Sequence, residues 1–268
     1  MKNRFIPPTV TVEELTKALY EANIQLDQAN KQLIRYSNEQ AQLFSNLSHD
    51  LRSPISALLG SIEYLLMLED RSTQETEDIL YMMQKKANFL NSLINDIFLL
   101  SSMDSKDKQL HFETVNAGMF FEEFFYSCLT DKKYDHRQLI SQIPDEFPYN
   151  ISIDTKLMIR VLDNLFSNAL KYSNAGDQII CKLEKLNTAA LQFDVIDTGI
   201  GIQEEIRQHI FERTYMGLKA RTPNETTGCG LGLSIAQSII KRHDGEIWCN
   251  SEYGKGSCFS ITLPIIKS

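Results

Sequence analysis

The stretch Asn46-Leu-Ser-His-Asp-Leu-Arg-Ser-Pro54 decides how the first third of the chain is read. It continues a helical pattern that begins far upstream. Leu15, Leu19, Ala22, Leu26, Ala29, Leu33, Tyr36, Gln40, Leu43 and Leu47 are spaced alternately four and three apart, a seam broken in polarity only at Gln40. Such a repeat predicts a long helix that pairs with another copy of itself. A single amphipathic helix on a globular body would carry a similar stripe, but the strict alternation, with Glu, Lys, Asp and Gln between, favours a dimeric coiled coil. Leu47, Leu51, Pro54, Leu58, Ile62 and Leu65 extend the stripe with a small shift. Pro54 lacks a backbone donor and crowds the preceding turn, so a bend is expected there. His49 lies about 200° around the helix from both Leu47 and Leu51, which turns it away from the packing stripe and into solvent beside Asp50. An unperturbed imidazole is mostly neutral at neutral pH and leaves one ring nitrogen free to act as a nucleophile. An adjacent carboxylate can orient the ring and take its proton.

Working outward, the first helix should fade near Glu69–Arg71. Ser72 and Glu75 have capping-box spacing for a second helix, whose apolar face is Ile79, Met82, Met83, Phe89, Leu93, Ile97 and Leu100. It should end in the polar stretch Ser101–Lys108. Two copies of this hairpin would form a four-helix bundle with the seam in its core. From about Leu110 the pattern changes. Short β-rich runs (Leu110–Val115, Gln138–Ile143, Ile179–Leu186, Leu191–Ile196, Glu246–Asn250, Ser257–Leu263) alternate with helical ones (Gly118–Thr130, Asp154–Tyr172, Leu231–Arg242). This order predicts an α/β sandwich of the α+β type, one sheet with helices on one face. The expected division is a coiled-coil helix over 1–42, a helical-hairpin domain over 43–105 and a sandwich domain over 106–268. The long stretch Gln203–Thr227 has little regular pattern, as a lid or a disordered segment would.

The bulk properties exclude several classes. With 268 residues, 43% of them hydrophobic and 23% charged, the chain has room for roughly two folded domains and is not disordered. A net charge of -8 argues against nucleic-acid binding. No apolar run reaches membrane-spanning length, and residues 1–11 do not read as a signal peptide. The five cysteines show no CxxC pair and no metal-ligand spacing, which is expected of reduced thiols in a cytoplasmic protein.

Four clusters in the second half carry chemistry. In Asp163-Asn-Leu-Phe-Ser-Asn-Ala-Leu-Lys-Tyr172, the residues Asn164, Asn168, Lys171 and Tyr172 fall at i, i+4, i+7 and i+8 and share one helix face. Amide oxygens suit a hard cation such as Mg²⁺, and a lysine suits phosphate; a solvated polar face would look alike. Asp197-Thr-Gly-Ile-Gly-Ile202 follows a strand and places a carboxylate at its end, with Gly199 and Gly201 allowing close backbone approach. Gly228-Cys-Gly-Leu-Gly-Leu233 runs into a helix, where each glycine costs about 1 kcal/mol relative to alanine. Glycines Gly228, Gly230 and Gly232, with Leu231 and Leu233, would open backbone N–H groups towards an anion, although a structural turn also uses glycine. Ile210-Phe-Glu-Arg213 lies within the lid stretch.

Together, and in this order, the clusters resemble the histidine kinases of two-component systems over about Phe44 to Pro264. His49 matches the H box, Asn164–Tyr172 the N box, Asp197–Ile202 the G1 box, Phe211 the F box and Gly228–Leu233 the G2 box. The resemblance implies a dimerisation and phosphotransfer bundle joined to a Bergerat-type ATP-binding sandwich. It implies that Asp197 reads the adenine amino group, Tyr172 packs by the base, Asn168 ligates Mg²⁺ and Lys171 contacts phosphate. His49 would attack the γ-phosphate of ATP with Asp50 as general base, then feed an aspartate of a response regulator receiver domain. The partners implied are a second copy of the chain, that regulator, and an upstream sensor domain or protein. Relatives that hydrolyse ATP carry a glutamate where Asn164 stands, and an amide cannot act as that base. Three positions depart from the family. Ser53 replaces the common Thr or Asn associated with regulator dephosphorylation, which counts against phosphatase activity. Thr214 replaces a second Phe, and Met216 replaces a lid arginine for which Lys219 or Arg221 could substitute. These departures keep a nucleotide-binding scaffold or phosphotransfer protein with weak kinase activity as the competing reading.

Overall fold

A computed structural model describes residues 11–67, 72–104, 109–212 and 230–266. The backbone falls into two compact units, 1–49 and 50–268. The first helix, α1 (Val12–Met67), is continuous for 56 residues and passes from one unit into the other. Its start is a complete capping box. The Thr11 N–H and hydroxyl donate to Glu14 Oε2 at 2.9 and 3.0 Å, and the Glu14 N–H donates to Thr11 Oγ1 at 3.3 Å. Leu15, Leu19, Leu26 and Leu33 are all more than half exposed, so the seam of the first unit is an exposed apolar stripe.

Pro54 sits inside α1 rather than ending it. The ring is buried, and Leu51, Leu58 and Leu65 beside it are half-buried, so the stripe continues across the proline. The second helix, α2 (Thr73–Asp104), begins as the spacing predicts, with the Glu75 N–H donating to Ser72 Oγ at 3.1 Å. The Glu75 carboxylate does not close the box. It accepts from Tyr64 Oη at 2.9 Å and so ties the two helices of the hairpin together. Leu93, Leu100 and Met103 are buried along α2, while Met82 of the expected apolar face is exposed.

The remainder is a sheet domain. Its elements are β1 (Glu113–Asn116), α3 (Ala117–Leu129), β2 (Gln138–Gln142), β3 (Asn150–Ile153), α4 (Thr155–Tyr172), β4 (Gln178–Lys185), β5 (Ala190–Asp197), α5 (Glu204–Arg207), α6 (Gly232–Arg242), β6 (Ile247–Glu252) and β7 (Gly256–Pro264). Five strands run in the order β2-β4-β5-β7-β6, with β2 and β4 parallel and the other neighbours antiparallel. Strand β3 was not expected from the sequence; with only four residues it pairs β1 in a separate two-stranded sheet.

Alternation fixes the buried face. Ile179, Cys181 and Leu183 of β4, Leu191, Phe193 and Val195 of β5, and Phe259, Ile261 and Leu263 of β7 are buried at every second position. The apolar stripes of α3, α4 and α6 supply Phe121, Phe124, Val161, Leu162, Leu165, Phe166, Ile235, Ile239 and Ile240 to the same core. Phe121 stacks on Phe193 at 4.2 Å, and Phe124 meets Phe166 edge-on at 5.1 Å. Within this unit α2 lies against α6, and Asp96 of α2 forms a salt bridge with Arg160 of α4.

His243, directly after α6, joins two helices. It is 2% exposed, accepts from the Asp154 N–H through Nε2 at 2.9 Å and directs Nδ1 to the Ile239 carbonyl at 2.8 Å. Those partners assign the proton to Nδ1. Asp154 in turn caps α4, its carboxylate accepting from the Leu157 N–H at 3.2 Å.

Candidate active site

Helix α4 presents its polar face as its periodicity requires. Asn164 and Asn168 are half-buried, Lys171 and Tyr172 are exposed, and the intervening Leu165, Phe166 and Ala169 are buried. The Asn168 amide has no hydrogen-bond partner among the described residues, which leaves its oxygen open to a hard cation. Lys171 Nζ lies over the Tyr172 ring at 4.9 Å. Asn164 does something that its spacing did not reveal. Its Nδ2 donates to the Gly232 carbonyl at 3.0 Å and ties α4 to the first residue of α6.

The loop after β5 docks on the last turn of α4. The Ile200 N–H donates to the Tyr172 carbonyl at 3.0 Å. A Cβ on Gly199 would come within 2.1 Å of that carbonyl oxygen, so only glycine permits the contact. Gly201 has φ 65°, and a Cβ there would meet the Glu252 carbonyl at 2.1 Å. The Ile202 N–H donates to Ser251 Oγ at 2.8 Å, and the same hydroxyl donates to the Gly256 carbonyl at 2.8 Å. Ser251 thus secures the loop to β6 and β7; nothing in its sequence context marked it.

Asp197 ends β5 with 4% of its surface exposed. Its Oδ1 accepts from the Gly199 N–H at 2.9 Å. Burial pushes the carboxyl above the usual carboxylate range, and the hydrogen bonds from Gly199 and Ser257 oppose that rise. A buried carboxylate at a strand end, beside a glycine loop, is a directional acceptor for an amino group.

Helix α6 begins at Gly232, with Gly230 at φ 70° and Leu231 buried. No side chain caps it, so its first N–H groups have an anion-binding disposition. Leu233 is half-buried on the first turn. Gly228, Arg213, Thr214, Met216, Lys219 and Arg221 lie outside the described residues, as does most of the lid stretch. Phe211 is half-buried just after the short α5, and the neighbouring Ile210 is buried.

His49 is exposed on α1, and Asp50 after it is half-buried. Leu47, two residues before His49, is buried at 4% exposure, as expected for a histidine turned away from the packing stripe. Ser53 is exposed. The described cysteines form no disulfide, no acidic or thiol cluster suited to a metal occurs among the described residues, and no described helix is long and apolar enough to cross a membrane.

The described residues thus comprise a helical hairpin with an exposed histidine and a sheet domain in which a buried carboxylate, a glycine loop and an uncapped helix start are tied to one helix. The comparisons identify the class. Residues 39–106 match the His Kinase A (phospho-acceptor) domain, and residues 153–267 match the histidine kinase-, DNA gyrase B-, and HSP90-like ATPase family. The chain belongs to the sensor histidine kinases of two-component systems. It is 34% identical over 239 residues to the sensor histidine kinase WalK of Bacillus subtilis, covering 86% of this chain and 37% of that one. It is 32% identical over 234 residues to the adaptive-response sensory kinase SasA of Crocosphaera subtropica, covering 84% and 59%. The chain therefore spans between about a third and three-fifths of the length of these relatives. The fold is shared with the histidine kinase AdeS of Acinetobacter baumannii (TM-score 0.62, 21% identity, 82% of this chain and 98% of that one). It is also shared with the histidine kinase ThkA in a complex with the response regulator TrrA (TM-score 0.66, 21% identity, 97% and 68%).

Proposed function

We propose that the chain transfers the γ-phosphoryl group of ATP to His49 and then to an aspartate of a response regulator. One observation carries the reading. The Asn168–Tyr172 turn of α4, the Asp197–Ile202 loop and the start of α6 are tied into one constellation by the Ile200–Tyr172 and Asn164–Gly232 hydrogen bonds. In this reading Asp197 accepts from the adenine amino group, with Gly199, Gly201 and Ile202 forming the floor of the loop. Tyr172 packs by the base and Lys171 neutralises phosphate. Gly230, Leu231, Gly232 and Leu233 direct backbone N–H groups at the phosphates, and Gly228 belongs to the same glycine motif. Asn168 would hold Mg²⁺ through its amide oxygen, and the ion would neutralise phosphate charge during transfer. His49 is the nucleophile, and Asp50 orients it and takes its proton.

The domain division that goes with this function is a signalling coiled coil over 1–42, a dimerisation and phosphotransfer domain over 43–105 and an ATP-binding domain over 106–268. The exposed leucines of the first unit support a homodimer, because two such stripes bury one another. The partners are a response regulator receiver domain, as in the ThkA complex with TrrA, and an upstream sensor domain or protein. The site of action is the cytoplasm, and Ser53 argues for weak phosphatase activity. The test is incubation with γ-labelled ATP. Wild type should take up label that is acid-labile and base-stable; His49→Gln should bind Mg·ATP normally and take up none. Label of unchanged stability in His49→Gln would refute the assignment, and nucleotide binding without label in wild type would leave a scaffold.

A further inference from the structure

The nucleotide-facing side chains Lys171 and Tyr172 occupy the last turn of α4, where helix carbonyls lack intrahelical donors. Helices often end there on a glycine that redirects the chain and satisfies those carbonyls. Here the C-cap is Ser173, in extended conformation, and no glycine follows until Gly176. Something else must hold the turn.

Arg137, at the entry to β2, supplies it from a distance of more than thirty residues in sequence. Its Nε donates to Ser173 Oγ at 2.9 Å, and its Nη2 donates to the Ser173 carbonyl at 2.7 Å and to the Leu170 carbonyl at 3.4 Å. The backbone around the arginine is itself fixed. The Arg137 N–H donates to the Tyr134 carbonyl at 2.8 Å, the Gly176 N–H to the His136 carbonyl at 2.8 Å, and the Gln138 N–H to the Asp177 carbonyl at 2.9 Å. A positive group at a helix C-terminus is also favoured by the helix dipole. Another carbonyl of the turn, that of Tyr172, accepts from the Ile200 N–H of the Asp197 loop at 3.0 Å. The arginine fork and the loop therefore clamp the same turn from two sides.

We propose that Arg137 is a positioning residue for nucleotide binding: by clamping the last turn of α4 it sets Lys171 and Tyr172 and the seat of the Asp197 loop. It touches no nucleotide itself, so it should govern affinity and leave the transfer step alone. A lysine in its place keeps the charge but loses the planar fork, since it has a single nitrogen.

This inference rests on the nucleotide-binding reading above. The test is calorimetric titration of the full chain with Mg·ATP, beside the labelling rate at saturating ATP and the circular dichroism melt. For Arg137→Gln, the dissociation constant should rise roughly tenfold, the scale of losing charge-assisted hydrogen bonds, with the saturated labelling rate within about twofold of wild type. Arg137→Lys should recover part of the affinity, and Ser173→Ala should raise the dissociation constant by a smaller factor. If Arg137→Gln fails to fold, Arg137→Lys and Ser173→Ala decide the matter. Unchanged affinity in the folded variants, or a fall in saturated rate equal to the fall in affinity, overturns the positioning role. Absence of Mg·ATP binding by wild type would instead overturn the nucleotide-binding reading itself.

Discussion

Replacing His243 tests how the two helices of the proposed nucleotide site are held together. Its ring is 2% exposed, meets Phe112 edge-on at 5.1 Å and bridges the Asp154 N–H to the Ile239 carbonyl. In His243→Ala the Asp154 N–H loses its acceptor, at about 1–3 kcal/mol for a buried unsatisfied donor. The Ile239 carbonyl keeps the His243 N–H at 3.2 Å, so its loss is smaller. The vacated ring volume adds a cavity penalty of the kind seen for large-to-small core changes, about 2 kcal/mol or more. A total of about 3–5 kcal/mol follows, because the terms overlap. His243→Gln keeps one donor and one acceptor and should lose about half of that.

The pH dependence has a defined sign. Burial holds the His243 ring below the usual histidine range, with the Ile239 hydrogen bond and the nearby Asp154 and Asp244 opposing that fall and Arg242 adding to it. The unfolded chain takes up a proton near pH 6.5 and the folded chain only at lower pH. Below about pH 6.5 the unfolded state therefore binds more protons, and stability falls as pH drops, by at most about 1.4 kcal/mol per pH unit from this group. Urea unfolding followed by the fluorescence of Trp248, the single tryptophan, reports on the sheet domain directly. Wild type should lose stability relative to His243→Gln as pH is lowered from about 7.5 to about 5. Parallel pH profiles for the two proteins, or a His243→Ala loss below about 1 kcal/mol, would refute this account of the ring.

Three further outcomes follow from the site. Gly199→Ala forces a methyl against the Tyr172 carbonyl and should cost about 1–3 kcal/mol in stability together with most of the Mg·ATP affinity, read by urea unfolding and calorimetry. Because burial raises the Asp197 carboxyl, ATP affinity should weaken on acidification at a higher pH than an ordinary carboxylate would give; Asp197→Asn should bind weakly with a flat pH profile in calorimetry across that range. The Asp96–Arg160 pair, partly exposed on the arginine side, should show a coupling of about 1 kcal/mol in a double-mutant cycle of Asp96→Asn and Arg160→Gln followed by urea unfolding.

Much of this was legible in periodicity. The heptad seam, the amphipathic α4 and the alternating strands β4, β5 and β7 each repeat their signal over eight or more residues, long enough to dominate local exceptions. Asn168, Lys171, Tyr172, Asp197 and the loop glycines were visible because their spacing alone places them on one face or at one strand end. The hidden parts are contacts between segments distant in sequence. Spacing places Asn164 on the polar face of α4, but does not reveal that its Nδ2 donates to the Gly232 carbonyl 68 residues away. Arg137 and Ser251 carry no local pattern at all. Pro54 stands inside α1, which continues through it. Strand β3 is too short for alternation to register.

The proposed phosphoryl transfer ends on the His49 side chain, and one measurement reaches that residue directly. After incubation with Mg·ATP, trypsin digestion at neutral to alkaline pH should release the peptide Tyr36–Arg52, which holds His49 as its only histidine alongside Ser37, Ser45 and Ser48. Fragmentation that preserves the phosphoryl bond should place the added group on His49, and brief acid treatment should remove it. A phosphoryl group on Ser48 or on any other residue, or one that survives acid, would contradict the account.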